Sequence, residues 1–359
     1  GNVDYEQIAR SADLVLGALE ARLDGQGRVV PCRFTAAQVR ELGGMAAWHP
    51  RLYREMAACT AGIRLEFETD SAHLAFEAQM DPFPSGSQAM IDDMLDANPG
   101  VRPPYDGFSL DADGKRLGVR VPGPDGYVRF ALGATPGRRR RVRLWLPCLA
   151  GCRLGAVLGD GTFAEPVACP PDLLVLGDSI AQGFTSLDPA ITWPALLADS
   201  LGLGLVNQGV GGQVFQPGSV ADAAAATDPA LIVVEFGANY RFEPCRAAAV
   251  ERDAGAYLSE VSRAWPDVPT LVLTPAFHLE GRYPTHPESC FADVARITRD
   301  AAARHPQMTV VDGEGLLPPE PSFLIDASDH PGPNGQVAFY EEVRKQVMLL
   351  SKRSASSEA

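Results

Sequence analysis

The chain has 359 residues, 46% hydrophobic and 21% charged, an ordinary composition for a soluble globular protein with room for one large core or two smaller ones. Its 45 acidic and 31 basic residues give a formal net charge of −14, which argues against nucleic acid or an anionic membrane as main partner. No apolar run reaches the roughly eighteen residues that a bilayer-spanning helix needs.

From the N-terminus, Ile8, Ala12, Val15, Leu19 and Leu23 fall at helical intervals with charges between them, so residues 5–23 read as an amphipathic helix rather than a signal peptide. Period-2 patterning follows. Ile63, Leu65 and Phe67 alternate with Arg64, Glu66 and Glu68, and the pattern resumes after Asp70-Ser71 in Leu74, Phe76, Ala78 and Met80, which reads as a hairpin with one buried face. Residues 117–121, 127–132 and 142–146 give further strands, separated by turn signals at 111–114 and 122–126. Strands without intervening helices predict an antiparallel β-sandwich, jelly-roll-like in class. The arginine run 138–141 follows Pro136-Gly137 at a strand start, so it reads as a solvated edge rather than a phosphate site. The seven cysteines are scattered, and the near pair Cys148 and Cys152 has no second pair or histidine cluster to complete a zinc site. They read as reduced and mostly buried, with a cytoplasmic address as the expectation.

The prolines of 166–171 mark a junction, because buried apolar runs replace alternation beyond it. Runs 173–176, 203–207, 230–236, 270–274 and 308–311 predict five buried strands. Helical spacing joins Val250, Ala254, Tyr257, Val261 and Trp265, then Phe291, Val294, Ile297 and Ala301, and finally a stretch from about 334 to 350. Strand and helix in alternation predict a parallel sheet in a three-layer α/β/α sandwich. The expected organisation is a helix plus β-sandwich over 1–170, an α/β domain over 171–350 and a disordered tail over 351–359. The long loop 275–290 is a candidate wall for a site, and its His278 and His286 read as loop residues.

Each strand of the second half ends in a suggestive residue. The first run delivers Gly177-Asp178-Ser179-Ile180, with Gly177 allowing a tight exit and Gly183 loosening the next turn. The second leads into Asn207-Gln-Gly-Val-Gly-Gly212, the third into Gly237-Ala-Asn239, and after the fifth comes Asp326-Ala-Ser-Asp329-His330-Pro331. In a parallel sheet these ends share one edge, so residues distant in sequence converge there. A serine hydroxyl becomes a competent nucleophile when a histidine takes its proton, and a carboxylate fixes that histidine's tautomer. The oxyanion then needs donors already in place, such as a glycine N–H and a side-chain amide. Acyl transfer to water is the reaction class these residues suit.

In order, GDSI at Ser179, NQGVGG ending at Gly212, GAN at Asn239 and DASDHP at His330 resemble the four blocks of the SGNH, or GDSL-type, hydrolases over about residues 171–350. Members of that family are esterases, lipases and carbohydrate or thioester acyl hydrolases on a flavodoxin-like fold. The resemblance implies Ser179 as nucleophile and His330 as base, with the Ser179 N–H, the Gly212 N–H and the Asn239 amide as the oxyanion hole. It implies no metal and no organic cofactor. CTAGIRLEFETDSAHLAFEAQM, PPYDGFSLDADGKRL and RRVRLWLP are similar to the β-sandwich found ahead of some bacterial GDSL-type hydrolases, an auxiliary domain that helps wall the site.

Two departures stand out. Tyr240 follows Asn239 where the family has Asp, and Ala327 occupies the position of the family's acid, three before the histidine. Asp326, reached by a one-residue lengthening of the loop, is the favoured acid. Asp329 is its rival, and a Ser–His dyad oriented by a backbone carbonyl is the third possibility. The function expected is a serine esterase acting on a small-molecule or carbohydrate ester, with an acetyl-sized acyl group favoured because few large apolar residues follow Ser179 beyond Ile180 and Phe184. The alternatives are an acyltransferase with an alcohol or amine acceptor and a noncatalytic carbohydrate-binding protein.

Overall fold

The computed structural model describes residues 2–44, 50–97, 107–133 and 137–358. Pro136 of the turn before the arginine run and the PPYD segment 103–106 of the auxiliary-domain motif lie outside the described residues. In chain order the first half holds β1 (Glu6–Arg10), β2 (Val15–Leu16), β3 (Glu20–Leu23), β4 (Val29–Cys32), α1 (Ala36–Gly44), α2 (Pro50–Ala57), β5 (Arg64–Thr69), β6 (His73–Met80) and α3 (Ser87–Ala97). Then come β7 (Phe108–Ala112), β8 (Lys115–Arg120), β9 (Tyr127–Ala131), β10 (Arg140–Trp145), β11 (Cys152–Gly159) and β12 (Ala164–Pro166). They form two antiparallel sheets, ordered β3-β4-β11-β6-β9 with β1 on β11, and β12-β5-β10-β7-β8 with β2 on β5. Leu65, Phe67, Phe76, Phe108, Leu144 and Leu154 pack between the sheets, and the Phe67 and Phe76 rings meet edge to face at 6.1 Å.

Four expectations are corrected here. Residues 5–23 are strands, not a helix: β1 pairs along β11 and β2 along β5, and Gly17 at φ +85° interrupts any helical run. Sheet pairing outweighs a helical spacing carried by only five apolar positions. The period-2 stretches β5 and β6 are consecutive but lie in different sheets, so the chain crosses the sandwich at Asp70 instead of forming a hairpin. Asp70 holds that crossing by accepting from the Thr162 N–H at 2.8 Å and the Thr162 hydroxyl at 2.6 Å. The arginine run opens β10, an interior strand rather than an edge, and its charges are met by acids, Arg139 by Glu165 at 2.9 Å and Arg141 by Glu66 at 2.9 Å. Finally, α1, α2 and α3 interrupt the strands, where the sequence pattern predicts none.

The second half alternates as its runs predict: β13 (Asp172–Gly177), α4 (Ser179–Gln182), α5 (Trp193–Ser200), β14 (Gly204–Gly209), α6 (Ala223–Ala226), β15 (Leu231–Glu235), α7 (Ala247–Ala264), β16 (Thr270–Leu273), α8 (Phe291–Ala302), β17 (Met308–Val311) and α9 (Pro333–Glu358). The sheet is parallel throughout, ordered β14-β13-β15-β16-β17, the doubly wound order in which the chain reverses at its first strand. Pleating sorts the apolar runs to two faces. Leu173, Val175 and Val233 pack on Trp193, Phe339 and Val343 of α5 and α9, whereas Leu174, Leu176 and Val234 pack on Tyr257, Val261 and Ile297 of α7 and α8. The segment 351–358 continues α9 rather than forming a disordered tail; its described side chains are exposed, so the firmly packed turns before it carry the helix outward.

The halves meet along a charged and hydrogen-bonded seam. Arg33, fully buried between β4 and α1, donates to four backbone carbonyls: Met56 and Cys59 at 2.6 Å in its own half, and Asn207 and Gly209 at 2.7 Å at the end of β14. Burial pulls its pKa down, to about 10, still well above neutrality. Arg143 clamps Asp199 of α5 at 2.7 and 3.0 Å, and Arg116 of β8 pairs with Asp188.

Candidate active site

Four strand exits of the parallel sheet converge on one cavity. At the first, the Asp178 carboxylate accepts from the Ile180 N–H at 2.9 Å and so caps α4, which starts at Ser179. Ser179 thus stands in a first helical turn, where its own N–H has no intrahelical partner. The second exit is braced from several sides. The Asn207 side chain donates to Ala181 O at 2.8 Å and accepts from the Gly209 N–H at 2.8 Å, while Gln182 accepts from the Gly211 N–H at 2.9 Å. Gly212 sits at φ +86°, a conformation that a side chain would strain, and its carbonyl accepts from the Tyr53 hydroxyl of α2 at 2.9 Å.

Ser179 Oγ lies 2.7 Å from His330 Nε2, and His330 Nδ1 lies 2.5 Å from Asp326 Oδ2 and 3.1 Å from Asp329 Oδ1. Ala327 takes the left-handed conformation at φ +54° with its side chain outward. At that kink Asp326 accepts from the backbone N–H groups of Ser328 at 3.0 Å and His330 at 3.2 Å. A bridge between Leu324 and Pro331 closes the loop.

The two carboxylates differ in what holds them. Burial raises Asp326, but His330 and the two N–H groups outweigh it and hold the carboxyl below its usual range. Burial raises Asp329 as well, and there it prevails over His330 and over Arg241, whose Nη1 is 3.4 Å from Asp329 Oδ2. For His330, burial favours the neutral ring, yet Asp326 and Asp329 prevail and raise its pKa to about 9.

Asn239 lines the same cavity, but its amide nitrogen is engaged by Gln213 O at 3.0 Å and more distantly by Asp178 Oδ2 at 3.4 Å. Burial pushes Asp178 up to about 6 and raises Glu235, which faces it, well above the usual carboxyl range. The cluster Asp326, Asp329 and His330 also has the donor set to ligate a cation, but His330 Nδ1 sits between the two carboxylates and Arg241 neutralises one of them.

Sequence reasoning missed three contributors. Arg241, wholly buried two residues after Asn239, donates to Tyr283 O at 2.6 Å, Leu279 O at 3.2 Å and Thr285 Oγ1 at 3.2 Å, which pins the loop 275–290 against Asp329. The available signal was the arginine directly after Tyr240, the residue that replaces the family's Asp. Tyr53 and the α2–α3 wall had none, because nothing in their pattern ties them to Ser179. Of the loop histidines, His278 pairs with Glu280 at 2.9 Å and His286 bonds Arg241 only through its backbone, so neither joins the reacting groups.

The cavity has a volume of about 410 Å³ and passes from Ser179, Gly212 and His330 to Leu52 and Met56 of α2 and Met90 and Met94 of α3. The apolar residues absent after Ser179 in sequence are supplied by the other half of the chain. An acetyl group alone would fill only part of such a space. Among the described residues no helix is long and apolar enough to cross a membrane.

Residues 175–338 match the GDSL-like lipase/acylhydrolase family. Among solved structures the chain is similar to the salicylyl-acyltransferase SsfX3 from a tetracycline biosynthetic pathway, with 19% identity, 97% of this chain and 98% of that one covered, and a TM-score of 0.77. It is similar to a protein described as a GDSL-like lipase from Bacteroides ovatus (16% identity, 98% of each chain, TM-score 0.72) and to a family two carbohydrate esterase from Cellvibrio japonicus (13% identity, 96% and 98%, TM-score 0.63). At these identities the likeness is one of fold, and it extends over the β domain as well as the α/β domain. A comparison with curated proteins gives no match.

Proposed function

Residues 175–338 form a domain of the GDSL-like lipase/acylhydrolase family, the ester-hydrolysing serine hydrolases, and from that premise we propose that this protein cleaves a carboxylic ester through an acyl-enzyme on Ser179. The observation that carries the proposal is the unbroken relay from Ser179 Oγ to His330 at 2.7 Å and from His330 to Asp326 at 2.5 Å. Ser179 Oγ attacks the ester carbonyl as its proton passes to His330 Nε2, and the Asp326 carboxylate steadies the imidazolium. The carbonyl oxygen becomes an oxyanion facing the N–H groups of Ser179 and Gly212 and the Asn239 amide, each donor contributing on the order of 3 kcal/mol to lowering the barrier. The tetrahedral species collapses, His330 returns the proton to the departing alkoxide, and the alcohol leaves. Water, deprotonated by His330, then attacks the acyl-enzyme and releases the acid and Ser179.

Acyl transfer is the second reading, favoured by the apolar wall over Ser179 and by likeness in fold to a protein named a salicylyl-acyltransferase. Only the last step differs: an alcohol or amine takes the place of water. A carbohydrate ester is the substrate class named for another fold relative. The test is nitrophenyl ester cleavage and fluorophosphonate labelling by wild type and Ser179→Ala. The variant is expected to keep the wild-type melting temperature, lose labelling and lose about 10⁴-fold or more of kcat/KM. Retention of wild-type turnover in Ser179→Ala would sink the proposal. Product analysis with and without an added alcohol or amine separates the two readings.

A further inference from the structure

We propose that the ester this protein takes bears an apolar group larger than acetyl, an aryl ring or a medium-length alkyl chain, seated in a methionine-lined pocket that the β domain lays over Ser179. The inference rests on the esterase reading of Ser179 and His330, and it adds the substrate class and the residues that select it.

The cavity is lined by the polar groups of Ser179, Asn239, Asp326, Asp329 and His330 and by the apolar side chains of Leu52, Met56, Met90, Met94, Phe184 and Phe242; Ser87, at the start of α3, also borders it, with its hydroxyl turned to Pro84 O at 2.6 Å. Met56 and Met94 are 2% exposed and belong to the cluster that packs α1, α2 and α3 against Phe184 and Val210. Met90 is half-buried at its margin.

A sugar carries hydroxyls around its rim, and each would exchange water for an aliphatic or thioether surface that returns no comparable hydrogen bond. An acetyl group has the opposite mismatch, since one methyl leaves most of these apolar side chains facing solvent. A dry apolar cavity of about 150 Å³ takes up benzene, so about 410 Å³ accommodates a ring together with the ester and its second substituent. Methionine suits the role, because its unbranched thioether adapts to the shape it meets and makes favourable contacts with aromatic rings. Tyr53 and Met56 lie on the same short helix, so the element that buttresses Gly212 also contributes to this apolar lining.

The apolar group could be the acyl part or the alcohol part, and the experiment has an arm for each. Nitrophenyl esters from acetate to octanoate, with benzoate, vary the acyl side; acetates of ethanol to hexanol, with benzyl acetate, vary the alcohol side; an acetylated xylo-oligosaccharide is the third arm. Nitrophenolate release in the first turnover reports attack by Ser179 whichever acceptor ends the cycle. The expected result is a kcat/KM that rises about fourfold per methylene over the first few carbons in one of the two series, the equivalent of about 0.8 kcal/mol per buried methylene. Met90→Gln should cut the hexanoyl-to-acetyl or hexyl-to-ethyl ratio by about fourfold or more, and Leu52→Gln should act in the same direction. Both ratios are internal to one protein sample, so partial misfolding does not imitate the effect. A flat or falling series in both arms, or the acetylated oligosaccharide as best substrate, overturns the inference. Fluorophosphonate labelling of Ser179 keeps the two failures apart: a labelled protein with a flat series loses only the pocket assignment, whereas a protein neither labelled nor turning over any ester loses the esterase reading as well.

Discussion

The strand exits of the parallel sheet and the helices inserted into the β domain face each other across one cavity, yet they hold their side chains in opposite ways. On the sheet side nearly every reacting atom is fixed by a directional bond: Asp178 to the Ile180 N–H, Asp326 to two backbone N–H groups, Asn239 to Gln213 O. On the helix side Leu52, Met56, Met90 and Met94 meet the cavity with unbranched or flexible apolar groups held by packing. Proton transfer and oxyanion binding tolerate errors of tenths of an ångström, whereas enclosing an apolar group tolerates a wall that gives. If the proposed roles hold, chemistry falls to the α/β half, and selection is shared between the helices of the β domain and Phe184 and Phe242.

The contrast is broken most severely on the sheet side. Asp326→Asn should lower kcat by about 10³- to 10⁴-fold, because an amide in place of the carboxylate leaves His330 in the wrong tautomer. Asp329→Asn should cost about tenfold or less, since Asp326 still holds Nδ1. Steady-state kinetics of the two variants assigns the acid; the reverse ranking would give the role to Asp329.

At the seam, Arg33→Met removes the donor to four buried carbonyls and should cost about 3–5 kcal/mol of stability, read by urea unfolding. Because those carbonyls lie in both halves, wild type should unfold in a single transition. Two well-separated transitions in wild type would show that the seam does not couple the halves.

The mildest expected effect is on pH. With the His330 pKa raised to about 9, the ring is a cation below that pH and cannot accept the Ser179 proton, so kcat/KM should climb through an alkaline acid limb. Asp329 is among the groups that raise it, and neutralising Asp329 must move the limb to lower pH. An acid limb in Asp329→Asn at the wild-type position would mean that this carboxylate has no electrical hold on His330.

How far this was legible in the sequence follows the same division. Buried runs such as 173–176 and 230–236 announce parallel strands because both faces are covered, and what leaves such strands at the carboxyl end converges by topology alone. Ser179, Gly212, Asn239 and His330 could therefore be gathered from four distant stretches. Asp326 needed a loop geometry that spacing does not encode, the left-handed turn at Ala327. In the β domain, alternation located β5, β6 and β10 but could not say that β5 and β6 belong to different sheets, since either arrangement buries Phe67 and Phe76. The helical spacing of 5–23 misled because strand pairing with distant β11 and β5 decides that segment. Leu52, Met56, Met90 and Met94 were invisible as site residues, for an apolar residue facing a cavity and one facing a core look the same in a sequence.

Arg33 bears on how such a chain could be taken apart. Its guanidinium belongs to the first half, and two of its four acceptors belong to the second. An excision at the proline-rich junction would leave the hydrolase half with two bared carbonyls at the end of β14, and the other half with a buried cation that keeps only the Met56 and Cys59 carbonyls. The β domain is thus expected not to fold as a detachable module. Any exchange of halves with a relative has to carry Arg33 and the backbone around Asn207 and Gly209 as one inherited unit.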